Sequence, residues 1–157
     1  MSTRTLLPAL ALASLAILAS GCVTAPRNPE APETRLDSGA AVATVAQGLV
    51  GTPYRFGGSS DSGFDCSGLA VYAYERVGIT IPRTAAEQER AAQPVPVQDL
   101  LPGDLLFFRL RSRRVDHVGI YVGSGRFIHA PRSGAPVSYG RLRGFFREHL
   151  VRAGRFS

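Results

Sequence analysis

The apolar residues of this chain follow three successive patterns. Leu6 to Leu18 is a short, almost unbroken apolar run, interrupted by Pro8 and Ser14 and preceded by Arg4. From about residue 38 the spacing turns helical. Ala41, Val42, Val45, Ala46 and Leu49 form one stripe, which predicts a helix over 38–50 with Gly51 as its stop. Leu69, Ala70, Ala73 and Val77 share a face of a second helix that opens at Cys66, with Asp65 placed as its N-cap and Gly78 ending it. Thr84-Ala85-Ala86-Glu87 reads as a capping box opening a third, shorter helix after Pro82. Beyond residue 100 the pattern changes to strands. Leu105–Phe108 follows a Pro102-Gly103-Asp104 turn, and 117–122 and 126–130 flank Gly123-Ser124-Gly125 as a hairpin. Val137–Tyr139 and Leu150–Val151 add two further strands. Helices first and strands afterwards predict an α+β fold, with N-terminal helices packed on a mainly antiparallel sheet.

The first run belongs to export rather than to the fold. Thirteen residues are too few for the ~20 that span a bilayer, but they suit the core of a signal peptide. The run ends in Leu18-Ala19-Ser20-Gly21-Cys22, which resembles a bacterial lipobox, with Ala19 where leucine is more usual. Residues 1–21 are therefore expected to be a lipoprotein signal peptide and Cys22 the lipidated residue. An ordinary secretory signal is the alternative. Val23 after the cysteine implies the outer membrane, which places the protein in the bacterial periplasm, held to the membrane by its lipid. Residues 22–36 carry Pro26, Pro29 and Pro32 with few apolar neighbours, the composition of an extended tether. At ~3.1 Å per residue a dozen such residues reach roughly 40 Å. Residues 37–157 remain as one domain.

Charge alters the picture only in part. The 157 residues carry a formal net charge of +6, and every basic residue is arginine. Residues 109–157 hold 11 arginines against two acids, a net +9. Such a surplus suits nucleic acid, anionic lipid or an acidic ligand. Export argues against nucleic acid. The run Arg109-Leu110-Arg111-Ser112-Arg113-Arg114 is expected in a loop, free to meet either solvent or an acidic substrate.

Only two cysteines occur, so a disulfide framework and a four-cysteine zinc module are excluded. If Cys22 is lipidated, Cys66 is a spare thiol in an oxidising compartment. It sits at a helix start, where free N–H groups and the helix dipole favour an anion, and its neighbours Gly57, Gly58, Gly63, Ser67 and Gly68 are poor core material. A thiolate nucleophile needs a base, and the base needs a partner to orient it. Of three histidines, His149 is read as an ordinary residue. With a three-residue loop, Val122 pairs with Arg126 and His129 lies opposite Gly119, which leaves room for a ring. His117 then shares the face of His129, one diagonal step away. A two-residue loop would separate the two rings, so an odd-numbered loop is expected. A zinc site built from Cys66, His117 and His129 is a competing reading, weakened by the missing fourth ligand. No cofactor or metal motif is present in the sequence.

Phe64-Asp65-Cys66-Ser67-Gly68-Leu69, Asp116-His117-Val118-Gly119-Ile120-Tyr121-Val122-Gly123 and Phe127-Ile128-His129-Ala130 resemble the three signature segments of the NlpC/P60 family of papain-like cell-wall cysteine peptidases, and of its lipoprotein subgroup in particular. Tyr54-Arg55-Phe56-Gly57-Gly58, Pro82-Arg83-Thr84 and Pro102-Gly103-Asp104-Leu105 match its accessory patches. The resemblance implies a papain-like fold with Cys66 as nucleophile, His117 as general base and His129 as the residue orienting it. It also implies that Tyr54 and the Cys66 N–H hold the oxyanion, and that Asp65 and Ser67 contact substrate. The implied substrate is a peptidoglycan stem peptide or cross-link, cut at D-glutamyl–diaminopimelate or diaminopimelate–D-alanine. A related Cys-His amidase and a non-catalytic wall-binding lipoprotein are the other readings. An adaptor or a regulatory protease is left open as a partner.

Overall fold

The computed structural model describes residues 32–157, so the expected signal peptide, the lipidation site at Cys22 and the first part of the tether lie outside the described residues. Helix α1 (Pro32–Gly48) begins at Pro32 rather than at residue 38. Residues 32–36, expected in the extended tether, are thus helical. Proline suits a first helical position, because its φ is already near the helical value and its missing N–H would have had no partner there. The chain leaves α1 through Gly51, at φ 95°, whose N–H donates to the Val137 carbonyl.

A minimal hairpin, β1 (Ser59–Ser60) with β2 (Gly63–Phe64), leads into α2 (Cys66–Glu75). Helix α3 (Ala85–Ala91) carries the expected capping box between Thr84 and Glu87. The remaining elements are β3 (Gln93–Val95), β4 (Leu105–Phe108), β5 (His117–Gly123), β6 (Arg126–His129), β7 (Ser138–Arg141), α4 (Phe145–His149) and β8 (Leu150–Arg155). Six strands form one antiparallel sheet in the order β3-β8-β4-β5-β6-β7. The α+β fold with N-terminal helices on an antiparallel sheet is therefore present.

Strand β4 is apolar at every position because both of its faces are covered. Leu105 and Phe107 join Val118, Ile120 and Ile128 under α1 and α2, which contribute Val42, Ala46, Leu69 and Ala73. Leu106 and Phe108 face the other way, with Phe127, Ala153 and Phe146 of α4. The Pro102-Gly103-Asp104 turn before β4 is fastened by Asp104, which is 1% exposed. Its carboxylate accepts from the Leu101 N–H at 2.8 Å and from Arg155 at 2.6 and 2.8 Å, tying β8 to the turn.

The β5–β6 hairpin departs from the expected loop. Ser124 and Gly125, both at positive φ, form a two-residue turn between the paired residues Gly123 and Arg126. A bulge between Tyr121 and Gly123 absorbs the extra residue, so Tyr121 pairs with Phe127 and Ile120 with Ile128. Continued by one step, this register sets Gly119 opposite His129, as expected. An even turn plus one bulged residue thus does the work of an odd loop. The space at Gly119 is used differently from the expectation: a Cβ there would lie 2.5 Å from Cδ2 of Phe127, so it is the phenyl ring that needs the glycine. At the outer edge, Arg126 of β6 pairs directly with Arg141 of β7, both exposed, and the Arg126 guanidinium lies 5.4 Å from the Tyr139 ring centroid.

Gly119→Ala is expected to destabilise the domain by about 1–3 kcal/mol, because the Phe127 ring has no free space to move into. Urea unfolding measures this, and an unchanged midpoint would show that the ring can yield.

Candidate active site

Cys66 is the first residue of α2, and Asp65 fixes that start. The Asp65 carboxylate accepts from the Gly68 N–H at 2.6 Å, the N-cap bond, and from Ser67 Oγ at 3.2 Å. It also accepts from the Gly57 N–H at 3.1 Å and from both terminal nitrogens of Arg83 at 3.0 and 2.7 Å. Partial burial raises the Asp65 carboxyl, but the Arg83, Gly68 and Ser67 bonds outweigh it and hold the group below its ordinary value. The loop can lie this close to the helix because residue 68 is glycine; a Cβ there would sit 2.0 Å from the Gly58 carbonyl oxygen.

The imidazoles come from the opposite layer. Nε2 of His117 and Nδ1 of His129 are 2.8 Å apart, both rings are buried, and the ring planes stand at 81°. Since Nε2 of His117 is engaged, Nδ1 is the nitrogen left for a reacting group. For that nitrogen to accept a proton, Nε2 must carry hydrogen and donate to His129. Phenyl rings enclose the pair: Phe108 is 6.1 Å from His117, and Phe127 and Phe146 are 5.0 and 5.3 Å from His129.

Cys66 and His117 open on one cavity of about 380 Å³, lined also by Tyr54, Phe56, Arg111, Asp116, Pro131 and Arg132. Phe56, 89% exposed, stands at its mouth. Burial pushes the Cys66 thiol above its ordinary value. The backbone N–H of Val118, next to His117, pulls the other way, as do those of Ser67 and Cys66, while Asp65 adds to the rise. Burial lowers His117 to about 3, helped by His129 and Arg111 and opposed by Asp116, and burial lowers His129 to about 4. The expectation of a standing thiolate is therefore corrected. Helix-start donors do act on the sulfur, but desolvation outweighs them, and the resting pair is a neutral thiol beside a neutral imidazole.

The structure brings Cys66, His117, His129 and Tyr54 together. Burial raises the Tyr54 phenol, with Cys66 and Asp65 acting in the same direction, so the hydroxyl keeps its proton and can donate. Asp65 caps α2, as the sequence placed it, and Ser67 is the second residue of that helix. Ser67 Oγ is tied to Asp65 and Arg83, and neither residue lines the cavity. Arg83 and Phe146 were not anticipated as supports. Pro82-Arg83-Thr84 was visible as a patch, but nothing in the spacing linked Arg83 to Asp65. His149 sits apart, its Nδ1 2.8 Å from the Phe145 carbonyl. Among the described residues, no three of His, Cys, Asp and Glu are grouped to hold a metal ion.

A thiol at a helix start beside a paired imidazole, on helices packed against an antiparallel sheet, defines a papain-like arrangement. The NlpC/P60 family model matches residues 51–155, and the chain belongs to that family. It is 49% identical over 112 residues to the murein DD-endopeptidase MepH of Escherichia coli, covering 68% of this chain and 41% of that protein. It is 44% identical over 109 residues to the bifunctional muramidase/DL-endopeptidase CwlT of Bacillus subtilis, covering 67% and 32%. A crystal structure of an NlpC/P60 family protein from Bacillus cereus superposes with a TM-score of 0.70 at 35% identity, over 74% of this chain and 39% of that one. The matched region is thus less than half the length of each of these proteins.

A thiol with a raised pKa yields less thiolate at a given pH, and thiolate alone is alkylated. Iodoacetamide labelling of Cys66, followed by peptide mass spectrometry, is expected to be slower at pH 7 than for free cysteine. The rate should keep rising with pH beyond about 8.5, where an ordinary thiol titrates. A plateau reached by pH 6 would instead mean a thiolate–imidazolium pair at rest.

Proposed function

We propose that this protein is a peptidoglycan endopeptidase that hydrolyses amide bonds in stem peptides or cross-links through a Cys66-His117-His129 thiol mechanism. The observation that carries this reading is the shared cavity of Cys66 and His117, with the second nitrogen of His117 bonded to His129 at 2.8 Å. The names of the endopeptidase relatives support the choice of substrate.

The steps follow from the neutral resting pair. As the sulfur attacks the peptide carbonyl, the thiol proton passes to Nδ1 of His117. The imidazolium is stabilised through its Nε2–H bond to His129, which also fixes the ring and its tautomer. His129 is itself neutral, so it orients more than it neutralises. Charge developing on the carbonyl oxygen is met by the Cys66 backbone N–H and the Tyr54 hydroxyl; loss of one such donor typically costs ~10²–10³ in rate. His117 then gives its proton to the leaving amine, and water, deprotonated by the same ring, releases the acyl group from Cys66. The reading extends to the segment preceding the domain: the protein is exported and anchored by a lipid on Cys22, with the outer membrane as its place in the periplasm.

Incubation of purified muropeptides with wild type and Cys66→Ala, read by product mass, tests the activity and identifies the bond. Wild type should yield a new pair of fragments and the variant none; equal cleavage by both would end the thiol mechanism. His117→Ala should lose more activity than His129→Ala, since it removes the proton acceptor itself; the reverse order would exchange their roles. For the anchor, the wild type is expected in the detergent-soluble membrane fraction and Cys22→Ser in the soluble periplasmic fraction. Identical partition of the two would rule out lipidation at this cysteine.

A further inference from the structure

Arginines cluster at both ends of the β5–β6 hairpin. His117 opens β5 and His129 closes β6, so the imidazoles and the arginine-rich loop before β5 lie at one end. Gly123, the Ser124-Gly125 turn and Arg126 lie at the other, roughly 20 Å along the strand from His117. There Arg126 pairs with Arg141, Arg143 follows two residues on, and all three are exposed. Pairing and alternation set Arg126, Arg141 and Tyr139 on one face of the sheet, with Tyr139 45% exposed. Among the described residues, none of the three arginines faces a carboxylate, whereas Arg83, Arg152 and Arg155 each do. Asp99, an exposed acid at the same end of the sheet, has Arg155 beside it. Like charges set directly opposite weaken a ladder, so folding alone gives no reason for the Arg126–Arg141 pair.

The chain enters the domain at this basic end. Gly39 of α1 packs on the turn before β4, where its Cβ would lie 2.6 Å from the Pro102 carbonyl oxygen. Pro102 in turn reaches within 4.0 Å of a Cβ built at Gly123. Helix α1 then runs towards the cavity end, where the Gly51 N–H meets the carbonyl of Val137, the neighbour of Ser138, which pairs with His129. The residues before α1 therefore join the domain at the hairpin turn, away from Cys66. Ten residue steps separate Cys22 from Pro32, an extended reach of roughly 30 Å.

We infer that Arg126, Arg141 and Arg143, with Tyr139 among them, form a docking surface for a bilayer of anionic phospholipid, and that docking turns the cavity of Cys66 and His117 away from that bilayer. Guanidinium groups are always charged and offer paired N–H donors to phosphate oxygens. A tyrosine, apolar in body and polar at its tip, suits the headgroup level. The choice of a bilayer as partner rests on the reading of Cys22 as a lipid anchor, but the surface itself belongs to the folded domain. A tether alone leaves a domain free to turn; a tether and a basic end on the same side fix which way the cavity faces.

The test removes the anchor. The mature chain, residues 22–157 with Cys22→Ser, is sedimented with vesicles of phosphatidylglycerol and phosphatidylethanolamine, and with vesicles of phosphatidylcholine alone. It should bind the anionic vesicles at least about tenfold more tightly, and less as salt is raised. Arg126→Gln/Arg141→Gln/Arg143→Gln should weaken that binding about a hundredfold, at about fivefold for each arginine. Its urea midpoint should match or exceed that of wild type, because the like-charge pair is gone. Arg109→Gln/Arg113→Gln/Arg114→Gln, with the same loss of charge at the cavity end, should bind nearly as wild type does. The sequence contains no tryptophan, so Tyr139→Trp and Phe56→Trp each supply a single reporter, one at the basic end and one at the cavity mouth. Brominated phospholipid should quench the reporter at 139 and spare the one at 56. No preference for anionic vesicles, binding retained by the basic-end variant or lost in the loop variant, or quenching at 56 instead of 139 overturns the surface. Each of these readouts is independent of peptide hydrolysis, so the hydrolase reading stands or falls separately.

Discussion

The site depends first on one carboxylate. Asp65 accepts from five groups: the Gly57 and Gly68 N–H, the Ser67 hydroxyl and two nitrogens of Arg83. An N-cap alone is worth roughly 1 kcal/mol, but here the same group also sets where the helix begins. Cys66 is the next residue, so any slip of the cap moves the sulfur. Arg83 reaches Asp65 from the segment before α3, and through Ser67 and the Gly58 carbonyl it stitches that segment to the glycine loop. The nucleophile is thus held by three separate stretches of chain, although only α2 carries it.

The second layer acts by exclusion. The phenyl rings of Phe108, Phe127 and Phe146 surround the imidazoles and deny them water, which is why both rings rest neutral. A neutral start means that charge appears only as bonds change. Next to these buried rings each fixed donor then acts on that charge with less screening than in water. Burial raises the Cys66 thiol as it lowers the imidazoles, so the same removal from water that holds back the free thiol makes the few polar groups around it effective.

Much of this was legible in the chain, for reasons that differ by element. The α2 helix and its cap were readable because Asp65, Cys66 and the apolar stripe at 69, 70, 73 and 77 agree with one another. The shared face of His117 and His129 was readable because alternation in a hairpin fixes which residues are neighbours. The turn was not, because Gly123-Ser124-Gly125 admits either a three-residue loop or a two-residue turn with a bulge, and only the positive φ at Ser124 and Gly125 distinguishes them. Strand β3 was hidden by Pro94, which an edge strand tolerates. Helix α4 was hidden by its length of five residues, and the start of α1 by prolines that read as linker. Arg83 escaped because its partner lies 18 positions away, a distance that no local pattern encodes.

The two rims of the sheet show how the domain avoids adhering to its own kind. A bare outer strand is a template for another chain, and β7 and β3 are both outer strands. On β7, Arg141 stands across from Arg126 with no acid between them, a local repulsion that weakens the ladder slightly. The same repulsion would be multiplied if two such margins met. On β3, Pro94 has no amide hydrogen to offer an incoming strand. The sheet therefore ends at six strands on both sides, one margin closed by charge and the other by a missing donor.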